Sequence, residues 1–393
     1  MTKWTVLFAG VAIQMILGGV YAWSEFVPHL TAEYGLNNSQ CGLIFGATIA
    51  MFTLTMIPAG RFLQKYGPRL TASIGAILFT TGYVLASFSQ GEFLLLLICL
   101  SGITGAGIGF GYICPLTVGM KWFPDNKGLV TGVSVAGFGG GAVLLSTIAQ
   151  HLLAGMGMDV MQVFRLVGTG SGLLAFASAM LMRLPSEASS TAVTVGTMPA
   201  AGDVFTSRNF ILIFLGMFCG TFAGLLVVGN LKPLALSMGL TAASATLSIS
   251  LFALGNAAGR ILWGQIHDRI GSHLAIVFSL IFLGACLVLL LTGAPGTIVL
   301  ASVFLVGVGF GACFVVYASS VVELFGTRLF PQLYPVCFLG YGLAALVGPS
   351  IGGWIADTTG SYVPAIVLST AIVLAMAPVV WMLFRRQAVY AYE

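Results

Sequence analysis

Charge is what this chain most lacks. Of 393 residues, 15 are Lys or Arg and 11 are Asp or Glu, together 7%. A soluble globular domain carries about 25%. With 58% hydrophobic residues and a mean hydropathy of +1.05, too little polar material is present to cover a water-facing surface. That excludes a soluble enzyme, a nucleic-acid-binding module and a disordered chain; the solvent for most of the molecule is lipid. Metal-ligand spacing is also missing. The seven cysteines (41, 99, 114, 219, 286, 313, 337) lie singly inside apolar stretches, as small buried hydrophobes do, so neither a disulfide framework nor a metal centre is expected. No small-residue cleavage site follows Met1-Thr2-Lys3-Trp4, and this segment is expected to open a retained first span.

What is present is a series of apolar runs. A bilayer core of roughly 30 Å needs about 20 residues of helix. Twelve such runs occur, near 4–27, 40–60, 70–89, 93–118, 128–154, 163–184, 209–230, 242–263, 273–293, 296–324, 333–356 and 362–384. They are full-length runs, which suits helices and not the short alternating strands of a barrel; a kink is expected at Pro115. With both termini cytoplasmic, twelve of the fifteen basic residues collect inside: Lys3, Arg61, Lys65, Arg69, Lys121, Lys127, Arg183, Arg208, Arg269, Arg328, Arg385 and Arg386. Only Arg165 and Lys232 fall outside, and Arg260 lies within a span. The distribution of positive charge thus supports the even span count independently. The one long polar connection, 185–207, is rich in Ser, Thr and Ala and reads as a cytoplasmic linker. It divides the chain into six-span bundles at 1–184 and 208–393.

The halves repeat. Gly60-Arg-Phe-Leu-Gln64-Lys65-Tyr-Gly67-Pro-Arg69 follows span two, and Gly264-Gln-Ile-His-Asp268-Arg269-Ile-Gly271 follows span eight. Both glycines recur 204 positions on (60 and 264, 67 and 271). Gly107-Ile-Gly109-Phe-Gly111 in span four is echoed by Gly307-Val-Gly309-Phe-Gly311 in span ten. Parallel six-span repeats predict two bundles related by an axis along the membrane normal, with a binding site between them near mid-depth. The 52 glycines are nearly twice the usual share of about 7%. Pairs four residues apart (105/109, 107/111, 137/141, 307/311) suit close helix packing; no strand precedes them, so a phosphate-binding loop is not indicated.

On these elements the sequence resembles the major facilitator superfamily, whose Gly-x-x-x-Asp-Arg-x-Gly element lies between spans two and three and again between eight and nine. The second copy here is intact; the first has Gln64 where Asp is usual. The resemblance implies an all-α membrane fold of twelve spans and gives Gly60, Gln64, Arg69, Gly264, Asp268 and Arg269 a gating role on the cytoplasmic side. A closer likeness comes from Gly109-Phe-Gly-Tyr112-x-x-Pro115, Lys121-Trp-Phe-Pro-Asp125-Asn-Lys127-Gly128, Val135-Ala-Gly-Phe-Gly139 and Gly255-Asn256-x-x-Gly259-Arg260. Together these look like the oxalate/formate-antiporter-like branch, which includes bacterial lactate-type monocarboxylate transporters.

Arg260 is the sharpest single feature. It lies one turn before the end of span eight, and a snorkelling arginine is the plain alternative. Helical side chains lean toward their own N-terminus, here toward the membrane centre, where a guanidinium offers a planar fork of donors suited to a carboxylate. Asn256, one turn deeper, can bond either Arg260 or a ligand. The resemblance implies aromatic or neighbouring cavity positions at Tyr21, Phe45, Tyr112, Phe138 and Tyr317, and puts Phe338 and Tyr341 where oxalate exchangers of this branch carry a span-eleven lysine. Each aromatic has packing or a membrane-interface belt as its plain alternative. Residues 333–356 hold no Lys or Arg, so one cation balances one carboxylate and a dianion stays half compensated.

The expectation is a secondary active transporter for a small monocarboxylate of the lactate, pyruvate or acetate class, working by alternating access with proton symport. The alternative is a carboxylate exchanger of the oxalate/formate type. Glu25, near the outer end of span one, is the candidate proton carrier, against an ordinary outer-rim acid; His29 is similar. No nucleophile–base pair or metal cluster falls within the spans, so neither an enzyme nor a cofactor is indicated. A transporter-like sensor has no signalling domain to support it. A monomer in a bacterial inner membrane, without nucleic-acid partners, completes the expectation.

Overall fold

The computed structural model describes residues 3–123, 127–185, 204–292 and 296–384, and no side chains at 120, 127–132, 135 or 326–332. Most of the 185–207 linker, Asp125, and Arg385 and Arg386 therefore lie outside the described residues, as does the side chain of Arg328.

Among the described residues every regular element is helical. Eleven helices are long and apolar enough to cross a bilayer. One of them, Ala242–Leu291, has 50 residues, which would reach roughly 75 Å if straight. It is broken at Gly271, whose φ of 74° is left-handed, and so supplies spans eight and nine. The total is twelve.

Span one is less regular than its sequence suggests. An α-helix over Lys3–Gly18 tightens into a 3₁₀ segment at Gly19–Glu25 before a short helix at Val27–Tyr34. Span four includes a π-helical stretch at Leu97–Thr104 and then runs unbroken through Pro115, over Gly105–Trp122. Span seven, Arg208–Gly229, gives way at Asn230 to a helix at Leu231–Ser237.

Two kinds of helix start recur. Spans two, four, six, seven and eight begin on side chains that accept from free backbone N–H groups: Asn37, Glu92, Asp159, Ser207 and Thr241. Such caps contribute about 1 kcal/mol each. Spans three and nine instead begin on left-handed glycines, Gly67 (φ 83°) and Gly271, which turn the chain back within one residue.

Two compact units partition the chain, Met1–Val193 and Thr194–Glu393. Within the first, span one meets span five where a methyl on Gly18 would overlap the Phe138 carbonyl and one on Gly141 the Met15 carbonyl. Within the second, spans eight and ten share a four-glycine seam: Gly255 faces the Phe304 carbonyl, Gly259 that of Val308, Gly307 that of Phe252 and Gly311 that of Asn256. Large apolar side chains such as Phe8, Leu173 and Met382, each 71% exposed, face outward, as lipid contact requires. The protein is an integral membrane protein.

Candidate functional site

In the second unit, the backbone bearing Asn256 and Arg260 is held against span ten by Gly311. A methyl there would lie 3.0 Å from the Arg260 nitrogen and overlap the Asn256 carbonyl. From this seam the Arg260 side chain runs back one turn, and its Nε donates to Asn256 Oδ1 at 3.2 Å. Asn256 is 1% exposed, and Arg260 is half-buried. The guanidinium carbon sits 4.3 Å from the Phe314 ring centroid, a cation–π contact worth about 1 kcal/mol or more when desolvated. No carboxylate among the described residues pairs with Arg260.

Phe314 belongs to an aromatic group. Tyr341 meets it edge-on at 5.3 Å, Phe338 lies 5.1 Å from Tyr341, and Tyr334 lies 5.6 Å from Phe338. Phe338 and Tyr341 are thus part of the wall behind Arg260. Tyr317 is elsewhere: fully buried against span seven, its ring would meet a methyl on Gly216 at 2.9 Å. Its hydroxyl has no hydrogen-bond partner among the described residues.

In the first unit a guanidinium also lies on a ring, Arg165 over Phe88 at 4.6 Å, while the aromatics expected at the site meet one another. Tyr21 and Phe138 meet at 5.6 Å, Phe138 and Tyr112 at 5.3 Å, and Phe52 stands 5.0 Å from Tyr112. Three of the four aromatics expected in this unit therefore form one cluster. The fourth, Phe45, lines a small enclosed hollow with Val20, Trp23, Thr48 and Tyr83. Under the cluster lies Gln14, completely buried, whose amide donates to the Tyr112 carbonyl at 3.1 Å.

Two charged residues expected near the outer rim are buried. Glu25 ends the 3₁₀ segment at 0% exposure and Lys232 opens the helix after Asn230 at 5%. His29 pairs with Glu33 at 2.9 Å near the surface.

The repeated turns match in backbone and differ in side chains. Gly60 approaches Ile113 and Gly264 approaches Val315, each at 3.2 Å for an added methyl. In the second copy Glu323 of span ten caps span nine, accepting from Ser272 N at 3.0 Å and Ser272 Oγ at 2.6 Å, with His267 Nε2 at 3.3 Å. His267 is buried between them; Asp268, 3.9 Å from its Nδ1, is largely exposed. A cleft of about 570 Å³ opens beside this group. In the first copy Gln64 and Arg69 are exposed, and Pro68 opens span three.

Phe314, Phe52, Tyr334, Gln14 and the His267–Glu323 pair were not singled out by sequence. Phe314 had one signal, its place four residues after Phe310 on a face of span ten. Gln14 had another, as the lone amide in span one.

A helical membrane protein of two repeated units, with a half-buried arginine that pairs with no acid among the described residues, fits a solute carrier. The chain belongs to the Major Facilitator Superfamily, whose family model matches residues 5–334. It is similar to the oxalate:formate antiporter of Oxalobacter formigenes, at 24% identity over 91% of this chain and 86% of that one. It is also similar to human monocarboxylate transporter 11, at 25% identity over 95% of this chain and 81% of that one. The fold matches a bacterial homologue of the human lysosomal transporter Spinster, inward-facing and occupied, with a TM-score of 0.75 at 16% identity, covering 96% of each chain. These relatives are membrane transporters.

Proposed function

We propose that the protein moves a small monocarboxylate of the lactate, pyruvate or acetate class by alternating access with proton symport. The observation that carries this reading is Arg260, half-buried on Phe314, bonded to Asn256 and paired with no acid among the described residues. A planar fork in partly dry surroundings favours a carboxylate over chloride or a neutral solute. Near the surface of a protein a full charge pair at 4 Å is worth about 4 kcal/mol, enough to decide which solute is held. With no second cation in 333–356, a dicarboxylate keeps one charge unmatched. Tyr317, Tyr21, Tyr112, Phe138, Phe45, Phe338 and Tyr341 are, in this reading, the aromatic substrate-binding residues.

In this reading Glu25, buried at the outer end of span one, carries the coupled proton. Gly60, Gln64, Arg69, Gly264, Asp268 and Arg269 form the turns that close the cytoplasmic side. A monomer in a bacterial inner membrane, both termini inside, completes it. Kinship with an antiporter favours oxalate/formate exchange as the second reading.

Labelled lactate, pyruvate, acetate, formate and oxalate offered to the purified protein in liposomes test both. Symport requires uptake driven by an imposed pH gradient without internal substrate; exchange requires internal counter-substrate. Arg260→Lys should lose at least about 90% of uptake, since an ammonium cannot reproduce the fork. Wild-type uptake by a folded Lys variant would defeat the assignment. Glu25→Gln should abolish pH-driven uptake and spare counterflow.

A further inference from the structure

The two repeated turns differ most in charge. Arg61, Gln64, Lys65 and Arg69 of the first stand 204 positions before Gln265, Asp268, Arg269 and His273 of the second. The first therefore carries three cations and no acid. The second carries one of each, with a histidine stacked on Trp381 and Phe384. Arg61, Lys65 and Arg69 are all exposed, and no acid among the described residues pairs with any of them. Arg61 and Lys65 lie four residues apart in the helix Asn38–Tyr66 and so share a face. Beside them Phe62 and Tyr66, also four apart, meet at 4.4 Å, and Phe62 rests on Phe110 of span four at 5.8 Å. The Lys65 ammonium lies 5.1 Å from the Tyr66 ring, and the left-handed Gly67 turns the chain so that Arg69 flanks the same bend. In the second copy Ile266 and Ile270 take the places of the two aromatics.

Depth decides what such a turn can meet. The helix Asn38–Tyr66 has 29 residues, roughly 44 Å, which matches a bilayer with its headgroups at about 40–45 Å. Its last turn therefore lies at headgroup level, where the amphipathic ring of Tyr66, 50% exposed, is suited. Three cations without an acid at that level present positive charge to the lipid phosphates, and each such residue strengthens attraction to an anionic surface about fivefold. A zwitterionic headgroup brings its own cation and gains little. We propose that the turn 60–69 of the first unit is a docking surface for the phosphate of an anionic phospholipid, and that Gln64 in place of an acid is what opens it. An aspartate there, as in the second copy, sets a carboxylate among the same cations and repels the phosphate. The inference does not depend on which solute the protein carries.

The test is native mass spectrometry of the full chain in detergent, titrated with phosphatidylglycerol or with phosphatidylcholine of the same acyl chains. Wild type should hold phosphatidylglycerol more tightly by about tenfold or more. Arg61→Gln and Lys65→Gln should each weaken that binding about fivefold, and Gln64→Asp by about as much, while Lys65→Arg keeps it. Arg183→Gln removes an exposed cation at the end of span six and should change binding less than about twofold, because it lies outside the turn. An equal loss in Arg183→Gln and Arg61→Gln would mean that the attraction belongs to no particular turn, and the proposal falls. Equal binding of the two lipids by the wild type overturns it without any variant, as does undiminished binding in folded Gln64→Asp. Displacement of phosphatidylglycerol by millimolar inorganic phosphate would assign the cations to a free anion and overturn it too.

Discussion

Span two with span four, and span eight with span ten, are the same construction carrying different chemistry. Phe52 and Met56 of span two stand 204 positions before Asn256 and Arg260 of span eight, and Tyr112 stands 202 before Phe314. Burial agrees position by position: Phe52 and Asn256 are buried, Met56 and Arg260 half-buried. In the first unit the span-two side chain meets its span-four aromatic ring to ring, Phe52 on Tyr112. In the second, a guanidinium lies on Phe314 instead. The seams keep one step and differ in closeness. Methyls on Gly105 and Gly109 of span four would meet the Thr48 and Phe52 carbonyls at 2.8 and 2.7 Å, beside the Met51 and Thr55 side chains, whereas those on Gly307 and Gly311 of span ten would press closer still on the Phe252 and Asn256 carbonyls. Repetition thus conserves the frame while, at this pair of positions, only the second copy carries a charge. The copy that carries the charge has the closer backbone contact, which fixes how deep its arginine sits.

The largest effect should come from prising that contact apart. Gly311→Val would drive a branched side chain into the Asn256 carbonyl and the Arg260 nitrogen, costing about 3 kcal/mol. Gly109→Val meets the Thr55 hydroxyl and the Phe52 carbonyl; since the first of these can rotate away, the cost should be about 1 kcal/mol less. Thermal unfolding in detergent measures both. Equal losses would show that the second seam is no tighter than the first.

A second way to sharpen the contrast is to add charge where the second unit has only aromatics. Tyr341 is fully buried against Phe314 and Phe338. Tyr341→Lys would place a second cation behind the first, and oxalate should then gain on lactate by about tenfold in competition for uptake. Unchanged selectivity would mean that counting cations does not govern which acid is carried.

Much of the frame was legible in sequence. The spans show as apolar runs of bilayer length, and the repeat shows because turns need glycine at fixed places: Gly67 and Gly271 both adopt positive φ. Positions fixed by distant neighbours were not legible. One phenylalanine in an apolar helix looks like another, and only the fold distinguishes Phe314, under the guanidinium, from Phe282, which packs on Trp263. Glu25 could be placed near a helix end by counting, but its burial depends on the 3₁₀ tightening of Gly19–Glu25. Glu323 and Ser272 are 51 residues apart, and no local pattern announces their bond.

That bond gives the smallest contrast and a clean one. Span nine has a backbone donor at Ser272 that Glu323 satisfies, together with the Ser272 hydroxyl and His267. Span three opens on Pro68, which has no N–H to satisfy and is already set for a first helical turn. Glu323→Gln keeps the shape and removes the charge, so the two charge-assisted bonds to Ser272 weaken to neutral ones. Because Glu323 is 45% exposed, water takes up part of the loss, and about 1 kcal/mol is expected. Pro68→Ala restores a donor at the helix start, where water or the preceding turn can meet it, and should change stability by less than about 0.5 kcal/mol. Hydrogen exchange at the first turns of spans three and nine reads the two locally. Faster exchange at Ser272 in Glu323→Gln, with span three unaffected in Pro68→Ala, is the outcome the geometry requires. Equal responses would mean that the acid at the second turn adds nothing to a bend its glycine already makes.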